Sequence, residues 1–383
     1  MTSDHTKYTF GQPRIVRQIN LQTVTRQMRK MELFSKIGLA RELGISTTTM
    51  TKLFAQLEEQ GLISRSEVED TSFGRPKILY QLAPELQVAA IVIDLQETTI
   101  CFSDLQGSAK PEHMLKLPTG IDVDDLFARI KREFTTLKTR LNAQCRLIGV
   151  CIPGLIESQT GQSMLNPNLH WLEGVRPAER ISEALSIDTF VMHEERALSR
   201  AQLRTPDATS NYISMDFSAG VGMSVVVNGQ PLLGSSGYAG EIGHIIMQPG
   251  GKQCGCGNRG CLETVASDLV FFSELDLPPA AALELLANRN PRALKIAENV
   301  LEWQAKGIAA AINIFNPDRV FIYSRLAQVY PYYIEDLRKE VKRWTIGLLF
   351  DNCRIRTTHE GKLTGALLLT IDRLIEKKAL NAE

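Results

Sequence analysis

The most constraining feature of the sequence is a glycine-rich run that carries one histidine and three cysteines. The run is GEIGHIIMQPGGKQCGCGNRGCLE, from Gly240 to Glu263, and its cysteines fall within eight residues. One imidazole nitrogen and three thiolates form a tetrahedral set that zinc favours, and glycines let the chain wrap closely round an ion. The alternative is three unrelated buried thiols. The spacing favours a closed structural zinc site with the ligands His244, Cys254, Cys256 and Cys261.

The cysteine count and the overall charge limit the class of protein. Seven cysteines is an odd number, which fits a metal site better than a disulfide framework. The 383 residues carry 43 basic and 43 acidic side chains, which excludes a wholly basic, chromatin-like protein. The length predicts two or three domains. No apolar run suffices for a membrane span and no signal-peptide core is evident, so we expect a cytoplasmic protein without membrane insertion.

The charge is divided unevenly along the chain. Residues 1–82 contain 12 basic and 8 acidic side chains, whereas the remaining residues contain 31 and 35. Such an asymmetry is a hint of nucleic-acid contact, although a short window also fluctuates by chance.

The N-terminal segment has the pattern of a winged helix-turn-helix. A first helix is predicted over 12–33 from its apolar spacing. Ser35 is placed to cap a second helix that ends at Gly44. Ser46 is placed to cap a third helix that ends at Gly61. The strand-like runs LISRSEV and KILYQLA then flank EDTSFGRP and predict a β-hairpin wing.

The third helix is the expected recognition helix, whose N-terminal end enters the major groove. Short hydroxyl side chains can meet base edges or phosphates, and a lysine adds a phosphate contact. An arginine at the tip of the wing can enter a minor groove. Winged helices also serve in protein contacts, which is the alternative. The predicted DNA-binding residues are Thr47, Thr48, Thr49, Lys52 and Arg75.

The rest of the chain shows two successive sets of strand-like and helix-like runs. The first set opens with a predicted hairpin and continues with helices and strands, at 88–105, 124–141, 147–152, 176–186 and 189–192. The second set begins with the strand-like runs YISMDF, GMSVVVNG and GHIIMQ and then becomes mostly helical. Two such sets predict an α/β protein of two lobes with a cleft between them. Whether they are an internal duplication stays open at this point.

The GEIGH segment, the cysteine spacing, the CLE ending and the SAGVGMSVVVNG segment resemble the ROK family of repressors, open reading frames and sugar kinases. With a winged helix ending in GRP, the chain is similar to the sugar-responsive repressors of that family, the Mlc/NagC type. The resemblance covers about residues 12–375 and implies an actin-like, ribonuclease-H-like fold of two lobes. We expect a DNA-binding domain at 1–82 and a first lobe at 83–195 that 361–383 completes. The second lobe, with the metal site and an oligomerisation surface, is expected at 196–360.

The resemblance also implies a sugar site in the cleft beside the metal. The NPNLHW segment supplies an asparagine whose amide can bridge two hydroxyls, and Pro153 and Gly154 match a turn that lines the pocket. The metal-bound histidine would meet a sugar hydroxyl through its second ring nitrogen. Carboxylates suit the site because each accepts two hydroxyl hydrogen bonds. The implied sugar-binding residues, each with a surface or turn residue as the alternative, are Asn168, Glu194, Glu241, His244 and Glu263.

Three departures from the family's pattern separate a repressor from an active kinase. Family kinases carry a Gly-Gly-Thr turn after the first strand's aspartate, whereas here Asp94 is followed by Leu-Gln-Glu-Thr. Where the kinases use an aspartate as base, this chain reads His-Glu-Glu-Arg at 193–196, and Glu194 is one methylene longer. The turn expected to receive adenine reads Ser-Arg at 324–325. We therefore predict that the chain is not an enzyme.

These features predict a DNA-binding transcriptional regulator, a repressor of sugar uptake or metabolism genes, modulated by a sugar or sugar phosphate in the cleft. The expected partners are operator DNA and further copies of the chain, as a homodimer or homotetramer. The expected cofactor is structural Zn2+. Three alternatives stay open: an ATP-dependent sugar kinase, a repressor relieved by a protein partner such as a sugar transporter component, and a zinc-thiolate redox sensor.

Overall fold

The computed structural model describes residues 13–69, 77–204 and 209–380. Its N-terminal unit consists of three helices and an antiparallel strand pair: α1 (Pro13–Met28), α2 (Lys36–Leu43), α3 (Thr47–Glu59), β1 (Ile63–Glu69) and β2 (Lys77–Leu82). Helix α1 ends before its predicted limit because the chain turns there and Phe34 forms a bridge to Tyr80 of β2. Arg75, the predicted tip of the wing, lies outside the described residues.

Local caps and an aromatic cluster explain why this segment forms a helix-turn-helix. The hydroxyls of Ser35 and Ser46 each accept a hydrogen bond at 3.1 Å from the backbone N–H three residues further on, which satisfies a free donor of the following helix. The ring of Phe54 packs edge-to-face on Phe34 and Tyr80, with centroids 6.0 Å and 5.0 Å away. The caps set where α2 and α3 begin, and the rings hold α3 against the strand pair.

The first lobe is built on a five-stranded sheet. Its elements are β3 (Val88–Ile93), β4 (Glu97–Ser103), β5 (Met114–Pro118), α4 (Val123–Arg140), β6 (Leu147–Ile152), β7 (Leu155–Ile156), β8 (Ser163–Leu165), α5 (Pro177–Leu185), β9 (Thr189–His193) and α6 (Glu194–Gln202). The strand order is β5-β4-β3-β6-β9, and β3 is antiparallel to β4 but parallel to β6. Both faces of β3 are buried, because alternate residues pack under α4 and under the C-terminal helix.

The second lobe is built on another five-stranded sheet with a helical layer. Its elements are β10 (Tyr212–Asp216), β11 (Gly222–Val227), β12 (Gln230–Pro231), α7 (Glu263–Ala266), α8 (Asp268–Leu275), α9 (Pro279–Ala287), α10 (Pro291–Phe315), β13 (Arg319–Tyr323), α11 (Leu326–Val329), α12 (Tyr333–Trp344), α13 (Gly347–Asn352) and β14 (Arg354–Thr357). The strand order is β12-β11-β10-β13-β14, and β10 is antiparallel to β11 but parallel to β13.

The two sheets repeat one connectivity, whereas an internal duplication of the sequence stays an open interpretation. In each sheet the first strand is central, pairs antiparallel with the next strand and parallel with a later one. One expectation was wrong: GHIIMQ forms no strand. Residues Ile242–His244 form a single 3-10 turn, and Ile246 makes only an isolated bridge to Cys261, because this segment folds back around the cysteines.

The C-terminal helix α14 (Lys362–Leu380) joins the N-terminal unit to the first lobe. It packs on β3, β6, α6 and α1, and its apolar side chains share one core with those of α1. Asp372 of α14 bonds Arg29, just beyond α1, and accepts from Arg200 of α6 at 2.7 Å. Burial opposes the charge on Asp372, but the two arginines outweigh it and hold the pKa of this carboxyl well below its usual range. Among the described helices, none combines the length and apolarity that crossing a bilayer requires.

The Asp372 bridge predicts a stability change. Asp372→Asn should lower the free energy of unfolding by about 2–4 kcal/mol, because two largely buried guanidinium groups then lack their counter-charge. Urea unfolding at neutral pH measures this change. The matched control is Glu340→Gln, which breaks an exposed pair with Arg343 and should cost under about 0.5 kcal/mol. Equal effects of the two substitutions would contradict the importance of the Asp372 bridge.

Candidate functional site

Four sulfur and nitrogen ligand atoms converge at the predicted metal site. The ligand atoms of His244, Cys254, Cys256 and Cys261 all lie within 4.8 Å of one another. Cys254 Sγ is 3.6 Å from His244 Nδ1, and Cys256 Sγ is 3.7 Å from Cys261 Sγ. A tetrahedral ion with bonds of about 2.1–2.3 Å places its ligand atoms about 3.5–3.8 Å apart. The cluster could therefore hold a metal ion.

Tight backbone turns bring these ligands together. The Cys254 N–H donates to the Asn258 carbonyl at 2.8 Å, and Cys261 is held by its bridge to Ile246. Gly260 has φ 78°, and a Cβ at this position would lie 1.7 Å from a carbonyl oxygen across the loop. Only glycine fits there, so the glycines of the run are required by the geometry of the loop.

A row of titratable side chains leads away from the metal cluster. His244 Nε2, the nitrogen that faces away from Cys254, lies 3.9 Å from a carboxylate oxygen of Glu241. The other Glu241 oxygen lies 3.9 Å from His193 Nε2, and His193 Nδ1 bonds the Glu195 carboxylate. Burial disfavours a charged His193, but Glu195 outweighs it and raises the pKa of this imidazole to about 9. His193 and Glu195 therefore form an internal ion pair at neutral pH.

A small surface pocket opens on this row. His193, Glu195 and Glu241 form part of its wall, and the start of β11 and the loop after β12 form much of the rest. Sequence reasoning did not single out His193 and Glu195 as site residues. The sequence signal for them is the unusual His-Glu-Glu-Arg segment at 193–196.

Glu263 and Asn168, two predicted sugar-binding residues, approach the same glycine. A Cβ at Gly220 would lie 2.4 Å from Glu263 Oε2 and 3.5 Å from Asn168 Nδ2. Glu263 Oε2 also accepts from the Val221 N–H at 3.1 Å, and Glu263 Oε1 lies 3.9 Å from Cys254 Sγ. The structure thus brings Asn168, Glu241, His244 and Glu263 together beside the metal cluster; their binding of a sugar stays a prediction.

Glu194 does not join this group. Its carboxylate accepts from Lys362 Nζ at 2.6 Å, and the same nitrogen lies 3.0 Å from Asp216 and 3.7 Å from Asp94. The Lys362 side chain is only 8% exposed. Burial, followed by Glu195, Asp94 and Asp216, raises the pKa of Glu194 to about 8 although Lys362 acts to lower it. Glu194 therefore belongs to a buried charge cluster between the lobes, and its role as a sugar ligand stays a prediction.

The turns after three central strands have backbone N–H groups occupied by carboxyl oxygens. The pairs, donor first, are Leu95 with Asp94 at 2.8 Å, Ser218 with Asp216 at 2.8 Å, Val221 with Glu263 at 3.1 Å and Arg325 with Asp268 at 2.5 Å. Turns of this kind, after a strand, are where phosphate-binding proteins present N–H groups to an anion. At each of these N–H groups a phosphate would have to displace an internal carboxyl group.

The predicted DNA-binding residues lie at the start of α3. Thr47, Thr48 and Lys52 are exposed there, whereas Thr49 is half-buried with its hydroxyl 2.8 Å from Ser46 Oγ. Thr49 thus takes part in the helix cap. Contact of this face with DNA stays a prediction.

The comparisons with known proteins agree with this architecture. The ROK family model matches residues 88–372, so the chain belongs to the ROK family. The chain is 26% identical over 340 residues to the DNA-binding transcriptional dual regulator NagC of Escherichia coli (strain K12), with 83% of each chain covered. It is 22% identical over 336 residues to the xylose repressor of Bacillus subtilis (strain 168), covering 85% of this chain and 87% of that one.

Two solved structures show how the fold is shared. A ROK family transcriptional regulator, a homolog of the E. coli Mlc protein, matches with a TM-score of 0.78 and 23% identity, covering 96% of this chain and 100% of that chain. A ROK family glucokinase from Streptomyces griseus, in complex with glucose and AMPPNP, matches with a TM-score of 0.66 and 18% identity, covering 74% and 98%. The predicted fold class, a winged helix-turn-helix joined to a two-lobed actin-like ROK domain, is confirmed.

The metal cluster predicts a loss on substitution. Cys256→Ser should lower the metal content of the purified protein from one ion per chain towards none and lower Tm by several degrees, because metal binding and folding of the loop are coupled. Mass spectrometry of the metal content and a thermal melt measure the two effects. Cys145→Ser, at a thiol that faces the Leu147 carbonyl, is the control and should retain the metal. An unchanged metal content in Cys256→Ser would contradict the predicted role of Cys256 as a metal ligand.

Buried Asp268 predicts a pH dependence of stability. Burial raises its pKa to about 8, against the opposing hydrogen bonds from Arg325 and Ser324. A carboxyl whose folded pKa exceeds its unfolded value of about 3.9 stabilises the fold fully below that value. This contribution is lost as the pH rises through the folded pKa, so Tm should fall between about pH 5 and pH 8. Calorimetry should show that Tm depends less steeply on pH in Asp268→Asn than in the unmodified chain. The exposed control Asp351→Asn should leave this dependence unchanged. The same pH dependence in both variants would contradict the role given to Asp268.

Proposed function

We propose that this chain is a DNA-binding repressor whose affinity for operator DNA is set by a sugar in the cleft between its lobes. The observation that carries the proposal is the path of α14. Its first residue, Lys362, lies in the charge cluster between the lobes, and Asp372 further along bonds Arg29 behind α1. One helix therefore spans the distance from the cleft to the DNA-binding unit.

The relatives support the DNA-binding half of this proposal. The similarity to proteins named as a transcriptional regulator and as a xylose repressor extends over most of the chain. The match to the ROK transcriptional regulator also includes the N-terminal unit. Two copies of the chain would present two recognition helices to a two-fold operator, so we propose a homodimer or a dimer of dimers. Such a protein acts on DNA in the cytoplasm.

The sugar acts as a switch only if it prefers one state. A ligand that binds the DNA-incompetent arrangement more tightly shifts the population towards it and weakens operator binding by the same coupling free energy. Helices α6 and α14 would move together, because a Cβ at Gly365 would lie 1.5 Å from the Ala197 carbonyl oxygen. A displacement at Glu194 or Lys362 would therefore reach Asp372 and Arg29.

We infer that the metal is Zn2+ and that it is structural. Four protein ligands complete a tetrahedral set and leave no position for a reacting water. When bound, the ion would fix the imidazole of His244 with its Nε2 towards Glu241 and the cleft. Asn168, Glu241, His244 and Glu263 are the side chains proposed to meet sugar hydroxyls, because carboxylates and amides offer the acceptors and donors that hydroxyls need.

A sugar kinase is the second candidate, since a ROK glucokinase shares the fold. Phosphoryl transfer needs divalent cations that bridge the transferred phosphate and a turn whose N–H groups bind it. In this chain Lys362 lies among Asp94, Glu194 and Asp216, and carboxyl oxygens occupy the N–H groups of the turns. Both features support a role without catalysis.

Measurement of operator affinity with and without sugars tests the proposal. Operator fragments would be selected from random-sequence duplexes, and affinity measured by fluorescence anisotropy with glucose, xylose and N-acetylglucosamine. A change in affinity with one sugar is the expected result. If no sugar acts but a cell extract releases the DNA, a protein partner such as a transporter component controls the repressor instead. Steady ADP release with a hexose and ATP near 1 s⁻¹ would establish a kinase.

The face of α3 predicts a salt-dependent contribution from Lys52. Lys52→Ala should weaken binding to all DNA sequences by about tenfold and reduce the salt slope of log affinity by about 1, because one phosphate contact is lost. Titrations between 50 and 200 mM salt would measure both quantities. The control is Lys339→Ala on α12, an exposed lysine paired with Glu335. An effect of the control as large as that of Lys52→Ala would contradict a DNA-binding face on α3.

A further inference from the structure

We propose that the effector of this cleft is an uncharged sugar and that its phosphate ester is rejected, with Lys362 as the residue that fixes this choice. The inference rests on the proposed function and narrows it, since either a sugar or a sugar phosphate fits the general scheme. Three observations carry it: the position of Lys362, the occupied turns and the excess of carboxyl groups along the cleft.

Lys362 is a cation that is already neutralised. Its ammonium lies 2.6 Å from Glu194, 3.0 Å from Asp216 and 3.7 Å from Asp94, so carboxylates of both lobes surround it. Asp94 and Glu194 belong to the first lobe and Asp216 to the second. A phosphate that approached this lysine would have to displace one carboxylate and would stay beside the other two. Three carboxyl groups thus surround this one ammonium group before any ligand enters.

Some of the backbone N–H groups at these turns, where other proteins bind phosphate, are also occupied. In the turn after β3, Asp94 accepts a hydrogen bond from a backbone N–H. Asp216 and Glu263 each accept one in the turn after β10, and Asp268 accepts one in the turn after β13. An N–H that donates to an internal carboxyl oxygen offers nothing to an incoming anion, and the oxygen itself repels one. The rejection is therefore built into both lobes.

The remaining cations of the cleft give a phosphate little help. His193 is held by Glu195 and faces Glu241 through its second nitrogen. Among the described residues that line the cavity, Arg196 is the exposed cation, and its own neighbour is Arg373 of α14. Arg196 is thus the one described cavity-wall position at which an anion could gain a contact, and it is included in the test.

An uncharged polyol has the opposite relation to these groups. Glu195, Glu241 and Glu263 can each accept hydrogen bonds from hydroxyls, which gain strength when the acceptor is charged. A phosphate group carries between one and two negative charges at neutral pH and would face the same oxygens. At an effective dielectric constant of about 20, each carboxylate within about 8 Å weakens phosphate binding by an order of magnitude or more.

Isothermal titration of the full chain tests the inference with matched pairs of probes. The probes are glucose and N-acetylglucosamine, each beside its 6-phosphate, with xylose as a further neutral sugar and inorganic phosphate as the anion alone. The expected result is saturable binding of at least one neutral sugar, at least 100-fold weaker binding of a phosphate ester of that sugar, and no binding of inorganic phosphate. If xylose alone binds, its 5-phosphate completes the pair.

Two variants make the test specific to the charge cluster. Asp94→Asn removes one charge beside Lys362 and should narrow the discrimination between a sugar and its phosphate ester by about tenfold. Asp351→Asn removes an exposed charge on α13 and should leave the discrimination unchanged. Equal behaviour of the two variants would contradict the role given to the cluster.

The outcomes separate this inference from the proposed function. If a phosphate ester binds as tightly as the neutral sugar or more tightly and releases operator DNA, the inference is overturned while the repressor remains. Loss of that binding in Arg196→Ala would then show that Arg196 binds the phosphate group. If neither neutral sugars nor phosphate esters bind, both the proposed response to a sugar and the inferred uncharged effector are overturned.

Discussion

The arrangement of the two lobes depends on the buried ammonium of Lys362. Asp94, Glu194 and Asp216 come from three separate strand ends in two lobes, and at this depth their mutual repulsion would force them apart or neutralise them. A single lysine from the start of α14 makes their approach possible. The relative position of the lobes is thus tied to one charge, and a ligand that moves either lobe must change the surroundings of that charge.

Lys362 lies at one end of the packed helices α6 and α14, and further along this pair Asp372 contacts the DNA-binding unit. Helices α6 and α14 meet backbone to backbone at Gly365 and are joined again by Arg200 and Asp372. Asp372 also bonds Arg29, so the pair has a polar junction at each end and an apolar contact between. A stiff element of this kind transmits a displacement because close-packed helices do not deform continuously.

Local features of the fold and site could be predicted from the sequence, and distant pairings could not. Ser35 and Ser46 cap helices through neighbours three residues away, and the candidate metal ligands follow one another within a short run, so pattern and spacing sufficed to predict both. Lys362 meets Glu194 across 168 residues, and no local pattern relates the two. The strand predicted at 243–248 does not form, because these residues belong to a loop around the candidate metal ligands and make only an isolated bridge.

A sensor and a kinase ask different things of one fold. A kinase must stabilise a transition state at a transferred phosphate, which requires free backbone donors and a divalent cation beside the sugar hydroxyl. A sensor needs only a difference in affinity between two arrangements of its lobes. Internal pairs at the turns and at Lys362 oppose the first requirement and add fixed contacts between the lobes, whereas Glu241 and Glu263 lie beside the candidate metal cluster. Under the proposed function, the carboxyl groups beside His244 remain available to sugar hydroxyls, whereas a phosphate would meet the internal pairs at the turns and at Lys362.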